Sequence, residues 1–396
     1  MKKILALILA VLMTFSLVAC GEGGGKKADD EFKIGFIMLH DENSTYDLNF
    51  INAAKEVQQK LNLTDEQVII VTGIPEEGDD CYNKACELAE EGCDIVFADS
   101  FGHEDNMILA AKEYPDVQFC HATGTKAHTE GVKNFHNAFA SIYEGRYLAG
   151  IAAGMKLNEM INAGKITADK AKIGYVGAKP YAEVKSGMTS FYLGARSVCP
   201  TATIDVKYTD SWYDYDLEKE YADQMIKDGC VLISQHADSM GAPDACEAAN
   251  VPNVSYNGST AAACPKTFLV SSRINWAPYY EFIIDCVKNG KEIPADWTGT
   301  LETGSVELSA LGTACAEGTA EAIAAAKDKL IKGELEVFAT NAWKKGGAEM
   351  TSYLADVNSD AAFTGDTEVI KDGAFLESEY RSAPYFDIDI DGVTTK

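Results

Sequence analysis

The stretch "FKIGFIML", Phe32 to Leu39, returns later in the chain as "AKIGYVGAK", Ala171 to Lys179. Each has a lysine opening an apolar run with Ile-Gly-aromatic at its centre: Lys33-Ile34-Gly35-Phe36 in the first and Lys172-Ile173-Gly174-Tyr175 in the second. A continuous apolar run of this length reads as a strand buried on both faces, the condition of a strand inside a parallel sheet. Each is followed by a loop and then a helix carrying small residues, so the chain reads as two similar α/β units.

Working outward from the first copy, Asp47 to Leu61 has helical periodicity. It is followed by "QVIIVTG", a helix over Asp79–Glu91, "CDIVFAD", a helix over Glu104–Glu113 and "VQFCHA". From the second copy the series runs "TIDVKY", a helix from about Leu217 to Asp228, "CVLISQ", a short helix near Ala242–Ala249 and "VPNVSY". Strands alternating with helices of this length imply parallel, doubly wound sheets. A long helix over Ser141–Asn162 separates the two series and is expected to carry the chain across. "TFLVSSRIN", a helix over Pro278–Lys288, strand-like pieces in "WTGTLETGSVEL" and a helix over Thr319–Lys332 are too few for a third domain. They are expected to complete the sheets and recross the hinge. The fold class is therefore α/β, two doubly wound parallel-sheet lobes joined by a hinge. Lobe I spans 32–140, completed by part of about 273–345; lobe II spans 141–272, completed by part of the C-terminal segment to 396.

The N-terminus has a different character. Lys2 and Lys3 precede an apolar run from Ile4 to Val18, shorter than a membrane span, which is the pattern of a secretory signal. It ends in Leu17-Val18-Ala19-Cys20, which looks like a bacterial lipobox, so residues 1–19 read as a lipoprotein signal peptide and Cys20 as the lipidated residue. "GEGGGKKADD" then forms a flexible tether, 20–31. No later run approaches the roughly 20 apolar residues a membrane helix needs, so the remainder is expected to be a body tethered to the outer face of the bacterial cytoplasmic membrane. Loss of Lys2 and Lys3 takes the formal charge from −27 to −29, a field that repels polyanions and argues against nucleic acid or anionic lipid as partners. Beyond Cys20 there are ten cysteines with no CxxC pair; an exported chain favours disulfides, yet several lie in apolar segments, and bridges and buried thiols both stay open.

In open α/β sheets the ligand sits beyond the carboxyl ends of the strands. Those positions are His40 to Tyr46, Asp99 to His103, His121 to Thr123, Lys179 to Glu183, Asp210 to Asp214, Gln235 to Ser239, Tyr256 to Ser259 and Arg273 to Trp276. The collection is aromatic and acidic with few cations, suited to a flat, neutral, hydrogen-bonding molecule. A phosphate would call for Gly-rich nests or clustered Arg and Lys, and no P-loop or GxGxxG occurs. Trp212, in "YTDSWYDYD", could stack on a heteroaromatic ring at about 1–3 kcal/mol per base, with Tyr46 as the second face and Glu183 and Asp238 accepting from N–H groups. Ser100, Phe101, His121, Asn257 and Trp276 complete the candidate ligand-binding set. Each also has a structural reading: Trp212 as an interlobe plug, Asp238 as a helix cap, Glu183 as a first-turn acid. His121 and His236 fall at strand ends of different lobes, but no HxH, HExxH or paired His-Cys spacing supports a metal, and no GxSxG elbow supports a nucleophile. The reading needs no cofactor.

These strand ends carry a resemblance. "FCHATG" with "YEGRYLAG", "GMTSFYLGARSVCP", "DSWYDYDLEKEYADQMIKDGCVLISQHADS", "INWAPYY" and the closing "DIDIDGV" resemble the basic membrane protein family of bacterial lipoproteins, substrate-binding components of ABC importers that include the purine nucleoside receptor A group. The resemblance runs from Lys33 almost to Val393. It implies a type I periplasmic-binding fold, closure on a purine and delivery to a membrane permease and ATPase. It also implies that an aromatic at Trp212 stacks on the base. In nucleoside-binding members an aspartate after the last strand of the second lobe grips ribose hydroxyls; here "SYNGST" places Asn257 there, which puts ribose recognition in doubt and is closer to a branch that takes free bases such as adenine, with Glu183 and Asp238 as partners. Within "YEGRYLAG", Arg146 is expected to pair across the hinge and Gly150 to permit close helix packing.

The resulting expectation is a non-enzymatic, lipid-anchored binding protein for a purine base or nucleoside. The alternatives are a binder of a sugar or other small metabolite, and a nucleoside-hydrolysing enzyme. Cys20→Ala is expected to release the protein from the membrane fraction; continued anchoring would remove the lipobox reading.

Overall fold

In a computed structural model, residues 32–357, 362 and 364–396 are described. The signal peptide, Cys20 and the tether lie outside them. The first series is β1 (Ile34–Ile37), α1 (Thr45–Lys60), β2 (Val68–Val71), α2 (Asp80–Glu90), β3 (Ile95–Ala98), α3 (Glu104–Glu113), β4 (Gln118–Ala122), the one-turn α4 (Ala127–Glu130) and β5 (Phe135–Ala140). The second begins with α5 (Ile142–Asn162) and continues through β6 (Lys172–Gly177), α6 (Ala182–Val198), β7 (Thr203–Tyr208), α7 (Tyr215–Lys227), β8 (Leu232–His236), α8 (Gly241–Ala249), β9 (Asn253–Tyr256) and β10 (Phe268–Ile274). After these come α9 (Ala277–Asn289), β11 (Asp296–Gly299), β12 (Val306–Leu308) and α10 (Thr319–Ile331).

Two α/β lobes result, each built on its own sheet. The first sheet has the order β11-β5-β4-β3-β1-β2, and the second β12-β10-β9-β8-β6-β7 followed by Val393–Thr395. The strands are parallel throughout except for β12, which runs antiparallel to β10. The repeated Ile-Gly-aromatic strands take the same place in both, between the second and third strands of their series. Their glycines have one physical reason: a Cβ on Gly35 would stand 2.8 Å from Leu88 Cδ1, and one on Gly174 would stand 2.5 Å from Ile233 Cδ1.

The strand β5, "FHNAFA", is the element whose sequence does not read as a strand. All six of its residues are buried, His136 and Asn137 among them. Most of their polar atoms are engaged: His136 Nε2 lies 2.8 Å from Gln118 Oε1, its Nδ1 lies 3.1 Å from the Pro294 carbonyl, and Asn137 Nδ2 donates to Glu104 Oε1, while Asn137 Oδ1 has no partner. Apolar periodicity cannot announce a strand that buries polar side chains at its centre.

The long helix α5 belongs to the second lobe, where it packs against α6. A Cβ on Gly150 would lie 2.0 Å from the Phe191 carbonyl oxygen, and one on Gly194 would lie 2.0 Å from that of Tyr147. The two backbones approach more closely than any side chain allows, and the expectation for Gly150 holds. The expectation for Arg146 is corrected. Its guanidinium is fully buried and bonds within the second lobe, to Tyr175 OH at 2.9 Å, Gln235 O at 3.1 Å and Ser234 Oγ at 3.2 Å, with longer contacts of 3.4 Å to Ser255 O and Ser272 Oγ. Every group its guanidinium bonds belongs to the second sheet, so none of these bonds crosses to the first lobe.

The ten cysteines of the described residues are all free thiols, most of them buried. No helix among the described residues is long and apolar enough to cross a membrane. Gly150→Ala is expected to cost about 1–3 kcal/mol through overpacking, read as a fall in melting temperature; an unchanged melt would mean that α5 and α6 separate freely.

Candidate functional site

The two parallel sheets bring their carboxyl ends together, and a cavity with about 340 Å³ of empty space, part of it open to solvent, lies between them. Its lining comes from both lobes. Leu39 follows β1, Tyr46 lies in the first turn of α1, Ser100 and Phe101 follow β3 and Thr123 follows β4. From the second lobe come Glu183 in the first turn of α6, Trp212 after β7, His236 and Asp238 at the end of β8, and Tyr256 at the end of β9. In each sheet the order reverses beside the central Ile-Gly-aromatic strand, and a crevice opens at such a switch point.

Each side chain is held by a local device. The Tyr46 hydroxyl donates to the Asp99 carbonyl at 2.8 Å, fixing the ring at the cavity wall. Ser100 Oγ and the Gly102 amide both donate to Glu76 Oε1, at 2.6 and 2.8 Å, which clamps the loop after β3. Thr123 has φ of 66°, a left-handed conformation that a β-branched residue adopts only under constraint. Trp212 is half-buried; Lys179 Nζ stands 5.3 Å from its ring and the Tyr181 ring meets it edge-on at 6.0 Å. His236 lies 4.2 Å from the Tyr256 ring, and the Arg146 guanidinium lies 5.0 Å from the centroid of the same ring.

The electrostatics are one-sided. Two carboxyl groups, Glu183 and Asp238, line the cavity and no cation does. His236 Nε2 is 3.5 Å from Glu183 Oε1, yet burial lowers the imidazole's proton affinity and keeps the ring neutral. Burial, and then the charges of Asp47, Glu218 and Glu183, hold the Asp238 carboxyl well above the usual carboxylate range. Three polar groups of the lining have no hydrogen-bond partner: Trp212 Nε1, the Tyr256 hydroxyl and the His236 ring nitrogens. Orphaned polar atoms around one cavity are costly unless something else satisfies them. The arrangement can therefore receive a flat molecule between aromatic walls, with N–H groups for the carboxyls and an acceptor for the donors.

Six of the nine candidate residues, Tyr46, Ser100, Phe101, Glu183, Trp212 and Asp238, line this cavity. Three do not. Trp276 is buried in the first lobe, its indole stacked 4.5 Å from Phe50, because the residue that starts α9 faces the core. His121 is buried one layer behind, its Nε2 2.7 Å from the Ser100 carbonyl, and so positions a lining residue. Asn257, with φ of 61°, turns its side chain to the other lobe, where its Oδ1 accepts from Asn49 Nδ2 at 2.9 Å. Thr123 and Tyr256 fell inside the strand-end ranges without being singled out, His236 was weighed only as a metal ligand, and Leu39 lay just before one range. What would have found Tyr256 is its place as the last residue of β9, at the carboxyl end of a parallel strand. Among the described residues no three His, Cys, Asp or Glu gather to hold a metal.

The lobes also touch directly. The Asp238 carbonyl accepts from the Thr45 amide at 2.9 Å and the Thr45 hydroxyl at 3.2 Å, at the start of α1. With the bond between Asn49 and Asn257, this places one face of α1 against the loops after β8 and β9.

A family model described as ABC transporter substrate-binding protein PnrA-like, Bmp, matches residues 35–341. The chain belongs to this Bmp family. Such proteins serve importers, so a small-molecule ligand and a membrane permease are its partners, and its work is done outside the cytoplasm. A purine-binding protein of Brucella abortus is 29% identical over 350 residues, 87% of this chain and 92% of that protein. A putative ABC transporter glucose-binding protein of Haloferax volcanii is 31% identical over 280 residues, 69% of this chain and 68% of its own length. Among solved structures, a solute-binding protein of an ABC transporter system from Aeropyrum pernix aligns with a TM-score of 0.66 at 15% identity, covering 78% of this chain and 93% of that one. Another from Conexibacter woesei gives 0.62 at 19% identity, over 77% and 98%. Identities this low speak for the fold alone.

The direct lobe contacts yield a prediction that needs no ligand. Thr45→Val with Asn49→Ala removes two side-chain hydrogen bonds across the cleft, each worth about 1 kcal/mol. The unliganded double variant is expected to show a larger radius of gyration by small-angle scattering at unchanged melting temperature. An unchanged radius would mean that the lobes are held together elsewhere.

Proposed function

We propose that this Bmp-family protein binds a purine base or purine nucleoside between its lobes and hands it to its permease, while a lipid on Cys20 anchors it to the membrane. The observation that carries the reading is the cavity lining: aromatic side chains from both lobes, two carboxyl acceptors, and partnerless donors on Trp212 and Tyr256. A planar nitrogen heterocycle offers a π-face to the first, N–H groups to the second and ring nitrogens to the third. The kinship with a purine-binding protein over most of both chains supports the same choice.

The kinship with a putative glucose-binding protein favours a second reading, a sugar ligand. Pyranoses also stack on indoles, but their many hydroxyls call for paired donors and acceptors. Among the lining residues no arginine, asparagine or glutamine supplies such pairs.

The test is calorimetry of the wild type and Trp212→Ala with adenine, hypoxanthine, inosine, adenosine and glucose, with the nucleoside mixtures assayed for released base. Saturable binding of a purine without turnover is expected, weakened tenfold to hundredfold in Trp212→Ala on the stacking scale of about 1–3 kcal/mol, with the melt of the unliganded variant unchanged. Binding of glucose alone would replace the reading with the second one, and release of base would make the protein an enzyme.

A further inference from the structure

Asp238 differs from the acids around it. Asp47 accepts from the His40 amide at 2.6 Å and from the Ser44 hydroxyl, and Glu218 accepts from the Ser239 and Asp214 amides, each at 3.2 Å. Glu183 faces His236. The Asp238 residue is only 5% exposed, its carboxyl facing the cavity, and among the described residues no N–H or O–H donates to that carboxyl. Its main chain, by contrast, is fully engaged: the amide donates to the Trp212 carbonyl at 3.0 Å and the carbonyl holds Thr45. The carboxyl is thus fixed in place at the cavity wall without a single donor.

The groups facing it are all acidic or neutral. Asp47 and Tyr46 approach from α1, Glu183 from α6, Glu218 from α7, and Tyr256 from the end of β9. His236 stands on the same strand end and is neutral. The buried cation Arg146 stands 5.0 Å from the Tyr256 ring, and its terminal nitrogens donate to carbonyls and hydroxyls. An ionised carboxylate buried among other carboxylates, with neither cation nor donor, is the costliest form this side chain could take. Burial together with the charges of Asp47, Glu218 and Glu183 accordingly pushes its proton affinity far up.

Resting on the heterocycle reading above, we infer that Asp238 meets its ligand as a neutral carboxylic acid and reads an edge on which an N–H stands beside a bare ring nitrogen or carbonyl oxygen. In that form the side chain presents one O–H donor next to one carbonyl acceptor, the same pair a carboxamide offers. Asparagine and glutamine use that pair bidentately on an aminopurine edge. An ionised carboxylate has two acceptors instead and selects an edge with two adjacent N–H groups. The protonation of one residue thus sets which heterocycle edge is accepted, and Asp238→Asn becomes a mimic of the working form.

The sign of the pH dependence follows. The proton is held below the raised proton affinity of the folded, liganded protein and lost above it, so ligand affinity is constant at lower pH and falls as pH rises through that value, by up to tenfold per pH unit. Two measurements test this on the full chain. In the first, protein with carbon-13 in its aspartate carboxyls is examined by NMR without ligand at pH 7, the Asp238 signal being assigned by its disappearance in Asp238→Asn. A neutral-acid shift is expected, and an ionised shift overturns the inference. In the second, adenine binding is followed by calorimetry from pH 6 to 9. Asp238→Asn is expected to bind within tenfold of the wild type at pH 6 and to lose the wild type's alkaline fall; a loss of tenfold or more at pH 6, or affinity that rises with pH, overturns it. If the wild type binds no purine, the heterocycle reading fails on its own account, and the carboxyl signal still decides the protonation of Asp238.

Discussion

One buried guanidinium underlies the floor of the cleft. Arg146 reaches from α5 to the carboxyl ends of β6, β8, β9 and β10, bonding Tyr175, Ser234, Gln235, Ser255 and Ser272, while three aromatic rings of Tyr175, Phe191 and Tyr256 surround it. No carboxylate pairs with it among the described residues. A buried charge without a counter-ion survives only when carbonyl and hydroxyl dipoles converge on it. Here that convergence ties four strand ends to one helix, and the helix can come close enough only because Gly150 and Gly194 remove the side chains between α5 and α6. The floor residues His236 and Tyr256 rest on this assembly.

The cation below and the acids above give the cleft its character. Arg146 is spent on the scaffold, so the cavity is left with carboxyl groups and aromatic faces, and its polar atoms point to N–H-bearing ligands and away from anions. The same residue, Asp238, joins reading and closing: its side chain faces the cavity, and its carbonyl takes the first turn of α1 from the opposite lobe. On the proposed function, a ligand that orders this loop orders the interlobe contact with it.

The kinship narrows the function only so far. One relative is named for purines and another for glucose, at nearly equal identity. Shared fold fixes the cleft and the hinge, whereas the ligand depends on a few side chains at strand ends, each free to change without disturbing the sheets. The identity of those side chains, more than overall similarity, decides what the cleft accepts.

Much was legible in the residues alone, for a definite reason. The two Ile-Gly-aromatic strands, the alternation around them and the helices from Thr45 to Ile331 follow from local apolar periodicity, so the two-lobed α/β fold and a candidate cleft beyond the strand ends could be read directly. The strand-end rule also brought Trp212, Glu183, Asp238 and Tyr46 into view. What periodicity cannot carry is which polar residue satisfies which. The strand β5 hides behind His136 and Asn137, Trp276 turns into the core against Phe50, Asn257 turns toward Asn49, and Arg146 stays within its own lobe. Each outcome depends on distances between segments far apart in the chain, and those distances exist only once the two sheets and their helices have packed.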